Sequence, residues 1–362
     1  MKDLTVTIIG VGLIGGSLGL AWRRAGVGRV IGVTRRQKTL DLALECGAID
    51  VGTTEMARGV EPADVVVLCT PVSEIVPLAK KVAAQVRSGT LLTDVGSTKA
   101  RIMEGVSKYL PDDVWFVGGH PMAGSERTGV EAADPYLFEN AVYCLTPPPG
   151  MAASAEPVTR LQELVRTTGA TPLVLTPEAH DLIVAGVSHI PHLVAAALVN
   201  AVAFADTDNL PMLRLAASGF RDTTRIAAGS SELWRDICLS NASAIVQMMN
   251  AFEDDLAQLR EAVERGNGAV LYELLDKARE TRLNMPVSSA SHELVVTLVD
   301  KPGAIHRVTG LIADADLNII DIGILKAREG EGGTLRVALS TPEAADLAVT
   351  LLRNNGYVAW RR

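Results

Sequence analysis

Three histidines, one serine and a run of arginines are the residues of this 362-residue sequence whose types and spacing suit proton transfer and anion binding. His120 stands in Gly118-Gly119-His120-Pro121-Met122-Ala123-Gly124-Ser125-Glu126, just after a strand-like run at 115–118. The glycines there predict a loop that opens the imidazole to a cleft. An unperturbed pKa near ~6.5 suits it to accept a proton at neutral pH. Taken alone, such a histidine is more often a surface residue. His189 and His192 stand in Ser188-His189-Ile190-Pro191-His192. On a helix, that spacing puts both on one face, and Pro191, lacking an N–H, should kink or loosen it. HxxH is also a metal-ligand spacing, but no third ligand stands nearby, so no metal is expected. Ser97, in Asp94-Val95-Gly96-Ser97-Thr98-Lys99, follows a predicted strand at 91–95, at the edge where open α/β sheets bind ligands. Its other reading is the N-cap of a helix opening at Thr98, and one serine can serve both roles.

A second constellation points to a dinucleotide. Gly10-Val11-Gly12-Leu13-Ile14-Gly15 follows the first predicted strand, 5–10, and opens a helix, where a tight turn and an exposed helix N-terminus receive a pyrophosphate. GxGxxG alone is a weak motif, but strand, helix and position agree here. The end of the second strand carries no acidic residue for ribose hydroxyls and instead reads Thr34-Arg35-Arg36. A guanidinium at this place pairs with a 2′-phosphate, which favours NADP over NAD; the other reading is a solvated basic turn. Thr70 and Pro71, after the predicted strand 65–70, complete the expected cofactor-binding set.

Several elements must position these groups. From residue 4 to about 176, β-branched runs (5–10, 30–34, 65–70, 91–95, 115–118, 141–145, 172–175) alternate with amphipathic segments, including a helix at 157–168, which predicts a doubly wound parallel sheet over 1–176. Thr176-Pro177, a cap followed by proline at the first helical position, opens an all-helical region at 177–286. Its alanine-rich helices predict a dimer core rather than an intrachain one. A polar linker follows at 284–291. The last part, 292–362, reads strand, helix, strand, strand, helix, strand, the split βαβ order of ferredoxin-like folds.

Composition narrows the function classes. The net charge of −8 argues against nucleic acid or an anionic membrane as partner. Four scattered cysteines without a CxxC pair suggest neither a disulfide framework nor a zinc site and fit a reducing cytoplasm. The short N-terminal apolar run is too brief for a signal peptide. The most apolar stretch, 182–205, holds His189, Pro191, His192 and Asn200, which are costly in lipid.

The motifs at 94–99, 118–126, 188–192 and 218–225 (Ser218-Gly219-Phe220-Arg221-Asp222-Thr223-Thr224-Arg225) resemble the prephenate and arogenate dehydrogenase family, and 292–362 resembles an ACT domain. The resemblance covers nearly the whole chain. It implies a Rossmann-type dinucleotide-binding domain, an all-α dimerisation domain and a C-terminal ferredoxin-like ACT α+β domain, arranged as a homodimer. It implies oxidative decarboxylation: a hydride passes from the hydroxyl-bearing ring carbon to NADP or NAD while the ring carboxylate leaves as carbon dioxide. Prephenate and arogenate both stand as substrates. By resemblance, His120 is the catalytic base, Ser97 bonds the substrate hydroxyl or His120, and His189 and His192 line the substrate pocket. Arg225 clamps a carboxylate, and Arg221, Asp222 and Glu126 form an ionic network at the mouth. Arg221 and Asp222 also read as an ordinary surface pair.

In ACT domains the loop joining the first strand and helix lies at an effector site. Here that loop is Asp300-Lys301-Pro302-Gly303-Ala304-Ile305, with Asn318 facing it. Family resemblance thus implies tyrosine as a feedback ligand; the other reading is a purely structural dimerisation module. Rival readings of the chain are a β-hydroxyacid dehydrogenase or imine reductase, separated by substrate tests, and a non-catalytic nicotinamide or amino-acid sensor, separated by binding without turnover.

Overall fold

The structure, a computed structural model, describes residues 1–124, 127–207, 209–285, 292–328 and 332–361. The chain divides into two compact units, Met1–Leu256 and Ala257–Arg362.

The first unit opens with short apolar runs that leave no room for a helix and become parallel strands crossed by helices. In chain order these are β1 (Thr5–Ile9), α1 (Leu13–Arg24), β2 (Arg29–Val33), α2 (Gln37–Glu45), β3 (Val51–Thr53), α3 (Met56–Val60), β4 (Val65–Leu68), α4 (Val72–Ala83), β5 (Leu91–Asp94), α5 (Ala100–Ser107) and β6 (Trp115–Phe116). The sheet order is β3-β2-β1-β4-β5-β6. Every residue of β4 and β5 is buried, as both-faced cover of a parallel sheet requires. The edge strand β3, with the sequence Val-Gly-Thr and no buried residue, carries too little apolar pattern to be read beforehand.

The chain then leaves this sheet. β7 (Gly118–Pro121), β8 (Val142–Thr146), α6 (Glu156–Arg166) and β9 (Thr171–Val174) form a separate sheet, with β7 antiparallel and β9 parallel to β8. This corrects two expectations. The segments at 141–145 and 172–175 do not extend the doubly wound sheet, and His120 lies in a strand paired with Cys144, not in a loop. The two glycines serve close approach rather than an open turn. A Cβ on Gly119 would sit 2.5 Å from the Asp94 carbonyl oxygen, and one on Gly118 would sit 2.4 Å from Thr146 Oγ1.

From Thr176, whose hydroxyl accepts from the Ala179 N–H at 3.2 Å, to Leu283 the named elements are helices: α7 (Pro177–Val184), a π-helical turn at Ala185–His189, α8 (Ile190–Ala205), α9 (Ser218–Thr224), α10 (Ser231–Ser240), α11 (Ala242–Glu264) and α12 (Gly268–Leu283). Pro191 opens α8 with no N–H to give, and the widened turn before it is the loosening that proline predicts. The stretch Pro177–Ala205 is long and apolar enough to cross a membrane, yet His180, Asp181, His189 and His192 are buried along it. At its far end Phe204 is 94% exposed.

In the second unit, β10 (His292–Leu298), α13 (Ala304–Asp314), β11 (Ile319–Arg328), β12 (Gly332–Leu339), α14 (Pro342–Asn354) and β13 (Ala359–Arg361) follow the expected order. They build an antiparallel sheet ordered β11-β12-β10-β13. Leu294, Val296, Val308, Ile312, Val337 and Leu352 form its core. Residues 286–291 of the predicted linker lie outside the described residues.

Candidate active site

The glycine turn does three separate jobs. Gly10 adopts φ 98°, which glycine tolerates freely, and a Cβ there would meet the Cys69 carbonyl oxygen at 2.3 Å. Gly15 packs α1 onto β1, since its Cβ would come 2.3 Å from the Gly10 carbonyl oxygen. Gly12 faces open space, with nothing within 4 Å of its Cβ position, and no side chain caps α1. Unpaired N–H groups with room before them suit a pyrophosphate. A cavity of about 690 Å³ opens here, lined by Gly10, Val11, Gly12, Thr34, Arg35, Arg36, Thr70 and Pro71 among others. Leu13, Ile14 and Gly15 do not line it; they belong to α1. Arg35 and Arg36 are exposed and pair with no carboxylate among the described residues. Lys81 and Glu74 of α4, and Asp236 of α10, line it as well. Asp236 accepts a hydrogen bond from Ser73 Oγ at 3.0 Å.

The carboxyl ends of β1, β4 and β5 are neighbours in the sheet, so this cavity shares an edge with the Asp94–Lys99 segment. Asp94 Oδ2 accepts from the Gly96 N–H at 2.8 Å and from Lys99 Nζ, and Oδ1 accepts from the Gly119 N–H at 3.1 Å. Asp94 thereby ties the residue before Ser97 to the residue before His120. Ser97 is partly buried but is not the helix cap considered for it. The N–H groups of Lys99 and Ala100, at the start of α5, instead donate to the two carboxylate oxygens of Asp181, at 2.7 and 2.9 Å. A carboxylate at a helix N-terminus also has the favourable charge.

Asp181 is the end of a chain that reaches His120. Asp181 Oδ1 lies 2.8 Å from His180 Nδ1, and His180 Nε2 lies 2.9 Å from His120 Nδ1. A carboxylate only accepts, so His180 carries its proton on Nδ1 and offers Nε2 as acceptor. His120 Nδ1–H then donates to His180, which leaves the His120 Nε2 lone pair free. Burial, then the neighbouring His180, Lys99 and His189, hold the His120 pKa well below 6.5. The expectation of an exposed, unperturbed imidazole is therefore corrected: His120 is partly buried and stays neutral well into the acid range.

His189 and His192 meet on Trp234. His192 stacks on its ring at 3.7 Å between centroids and 11° between planes, and His189 meets it edge-on at 6.1 Å. Asn241 Nδ2 donates to the Asp181 carbonyl oxygen at 2.8 Å and faces His189 Nδ1 at 3.2 Å, which places the His189 proton on Nε2. Burial lowers His189 to about 4 against the pull of Asp181. His192 Nδ1 is buried without a hydrogen-bond partner among the described residues; burial lowers its pKa, against the Ile226 backbone. Arg225, next to Ile226, begins a 3-10 turn and is exposed, as are Arg221 and Asp222 of α9. Glu126 lies outside the described residues. No cluster of three metal-ligating side chains occurs among the described residues.

Comparison with known proteins decides the family. Residues 18–175 match the model of the prephenate dehydrogenase nucleotide-binding domain, 176–277 that of the prephenate dehydrogenase dimerization domain, and 292–351 that of the ACT domain. The chain belongs to the prephenate dehydrogenase family. It is 36% identical to the prephenate dehydrogenase of Bacillus subtilis over 350 residues, spanning 95% of this chain and 94% of that one. The crystal structure of Aquifex aeolicus prephenate dehydrogenase with hydroxyphenyl propionate and NAD+ superposes with a TM-score of 0.73, at 31% identity, over 79% of this chain and 99% of that one. Synechocystis arogenate dehydrogenase gives a TM-score of 0.70 at 33% identity, over 77% and 99%. As a member of the prephenate dehydrogenase family, the chain is a nicotinamide-dependent oxidoreductase with a Rossmann-like nucleotide-binding domain, a helical dimerisation domain and an ACT domain.

Several residues of this cluster were not singled out from sequence. His180 and Asp181 sit in an apolar helix, and the signal available was an adjacent polar pair just inside the Thr176-Pro177 cap. Lys99 and Asp94 stood inside a quoted motif without a role, and Trp234, Asn241 and Asp236 carried no motif at all. In the ACT domain a cavity of about 110 Å³ is lined by Asp300, Lys301, Ala304, Ile305 and Ile324 among others. Gly303, at φ 80° as the N-cap of α13, and Asn318 do not line it. The facing strand contributes Ile324 instead.

Proposed function

We propose that the chain converts prephenate to 4-hydroxyphenylpyruvate, carbon dioxide and reduced cofactor in tyrosine biosynthesis. The observation that carries this reading is the Asp181–His180–His120 chain, which leaves a lone pair at His120 Nε2 on β7, a strand tied through the Gly119 N–H to Asp94 at the end of β5, in the sheet whose β1 turn opens the dinucleotide cavity. Bound in that cavity, NADP or NAD supplies the acceptor for the hydride of the hydroxyl-bearing ring carbon. His120 Nε2 draws the hydroxyl proton as that carbon loses its hydride and returns it to the phenol oxygen as the ring carboxylate leaves, so no net proton is consumed. Ser97 orients the hydroxyl, His189 and His192 line the pocket, and Arg225 holds a carboxylate, with Arg221, Asp222 and Glu126 at the mouth.

Arg35 and Arg36, beside a β2 end without an acidic residue, favour NADP over NAD. Arogenate is the second reading, supported by the likeness to the Synechocystis arogenate dehydrogenase. We divide the chain at 1–176, 177–286 and 292–362 and read it as a cytoplasmic homodimer. The exposed apolar residues of α8 and α11, such as Phe204 and Leu256, support a second copy as their cover. Tyrosine is the proposed effector at the loop holding Asp300, Gly303, Ala304, Ile305 and Asn318. Initial rates with prephenate and arogenate, each with NADP and NAD and with or without tyrosine, test these assignments together. Turnover of neither substrate overturns the function, and rates indifferent to tyrosine overturn the regulation.

A further inference from the structure

The buried ion pair behind His120 has no part in the chemistry described so far. Lys99 and Asp94 are both fully buried, so neither reaches a substrate. Lys99 Nζ donates to Asp94 Oδ2 and to the Gly119 carbonyl oxygen at 2.7 Å, while the Gly119 N–H donates to Asp94 Oδ1 at 3.1 Å. Both backbone groups of the residue before His120 are therefore gripped by the pair. The Lys99 N–H donates to Asp181 Oδ1 at 2.7 Å, and Asp181 holds His180, which holds the His120 ring. Lys99 is thus the residue common to the backbone and side-chain supports of His120. The adjoining Gly96 N–H, held by Asp94 at 2.8 Å, adds Ser97 to the same clamp.

We propose that Lys99 and Asp94 are positioning residues: a buried ion pair that fixes Ser97 and His120 relative to one another and holds a cation behind the base. The inference rests on His120 acting as the base. An ion pair with three further hydrogen bonds to fixed groups has few alternative geometries, and removing one partner leaves the other charge stranded. The charged or titratable groups acting on His120 are Lys99, His180 and His189, all of which lower its pKa alongside burial, with Asp94 paired to Lys99 and Asp181 paired to His180. Removing the cation moves the His120 midpoint up.

Lys99→Met keeps the length of the side chain without its charge. In this variant kcat with prephenate should fall roughly 10- to 100-fold, on the scale of a mispositioned catalytic group, with KM changed less than about threefold, and the acid limb of kcat/KM should move to higher pH. A purely structural pair would lower the melting temperature and leave that limb in place, which would overturn the proposal. Should Lys99→Met not fold, Asp94→Asn with Lys99→Met removes both charges together and is read the same way. Histidine ring ¹⁵N titration of wild type needs neither variant nor activity: a His120 midpoint at or above ~6.5 overturns the clamp. Failure of wild type to oxidise prephenate would instead sink the functional reading and leave this titration to judge the pair.

Discussion

The two sides of the proposed site differ in how deeply their groups are buried. On the side of the proposed base, the partly buried His120 is backed by His180 and Asp181, Asp181 caps α5, and Asp94 with Lys99 locks the neighbouring backbone, and all of these supports are buried in the first unit. On the side proposed to hold a carboxylate, Arg225, Arg221 and Asp222 stand exposed on α9 and the turn after it, beside helices with exposed apolar residues. A proton-transfer group must be preorganised in tautomer and direction, because small errors are costly. A cationic clamp, as proposed for Arg225, acts at longer range and tolerates exposure.

Substitutions that strike each side should differ accordingly. The largest loss is expected from Asp181→Asn. An amide can donate to His180 Nδ1 and reverse both tautomers, so that His120 Nε2 carries a proton and cannot act as base. Turnover should fall roughly 10²- to 10⁴-fold with cofactor affinity unchanged, as steady-state rates and cofactor titration will show. Retained turnover would detach the relay from catalysis. Arg225→Ala should act mainly on KM for the substrate, raising it roughly 10- to 100-fold, the scale of a lost charge-assisted pair. An effect confined to kcat would move Arg225 out of the clamp.

Replacing Arg35 and Arg36 by glutamate should reverse the NADP-to-NAD ratio of kcat/KM by about tenfold or more, and an unchanged ratio would make them a solvated turn. The smallest effect is on stability. His189 titrates at about 4 when folded and near ~6.5 when unfolded, so the unfolded state binds more protons between those values. Stability should be full above pH ~6.5 and decline as pH falls toward 4, by on the order of 2 kcal/mol for this group after allowance for solvent. Asn in its place should flatten that part of the melting-temperature profile.

Most of the architecture was readable because hydrophobic period and turn chemistry coincide: the β1–Gly10 turn, the Thr176-Pro177 cap and the terminal split βαβ order all lie where local pattern put them. The departures share a cause. β7 looked like a loop because Gly118 and Gly119 read as flexibility, whereas they are there for contact with Asp94 and Thr146. His180 and Asp181 were passed over because their partners, His120 and Lys99, are 60 and 82 residues away. Long-range polar pairing leaves no periodic trace, and it is what sets the tautomer of His120.

Ring ¹⁵N shifts of His120 at pH 7 test the heart of the account. The chain of hydrogen bonds that ends on Asp181 predicts a neutral imidazole with its proton on Nδ1 and a bare Nε2. A proton on Nε2, or a cationic ring, would contradict it.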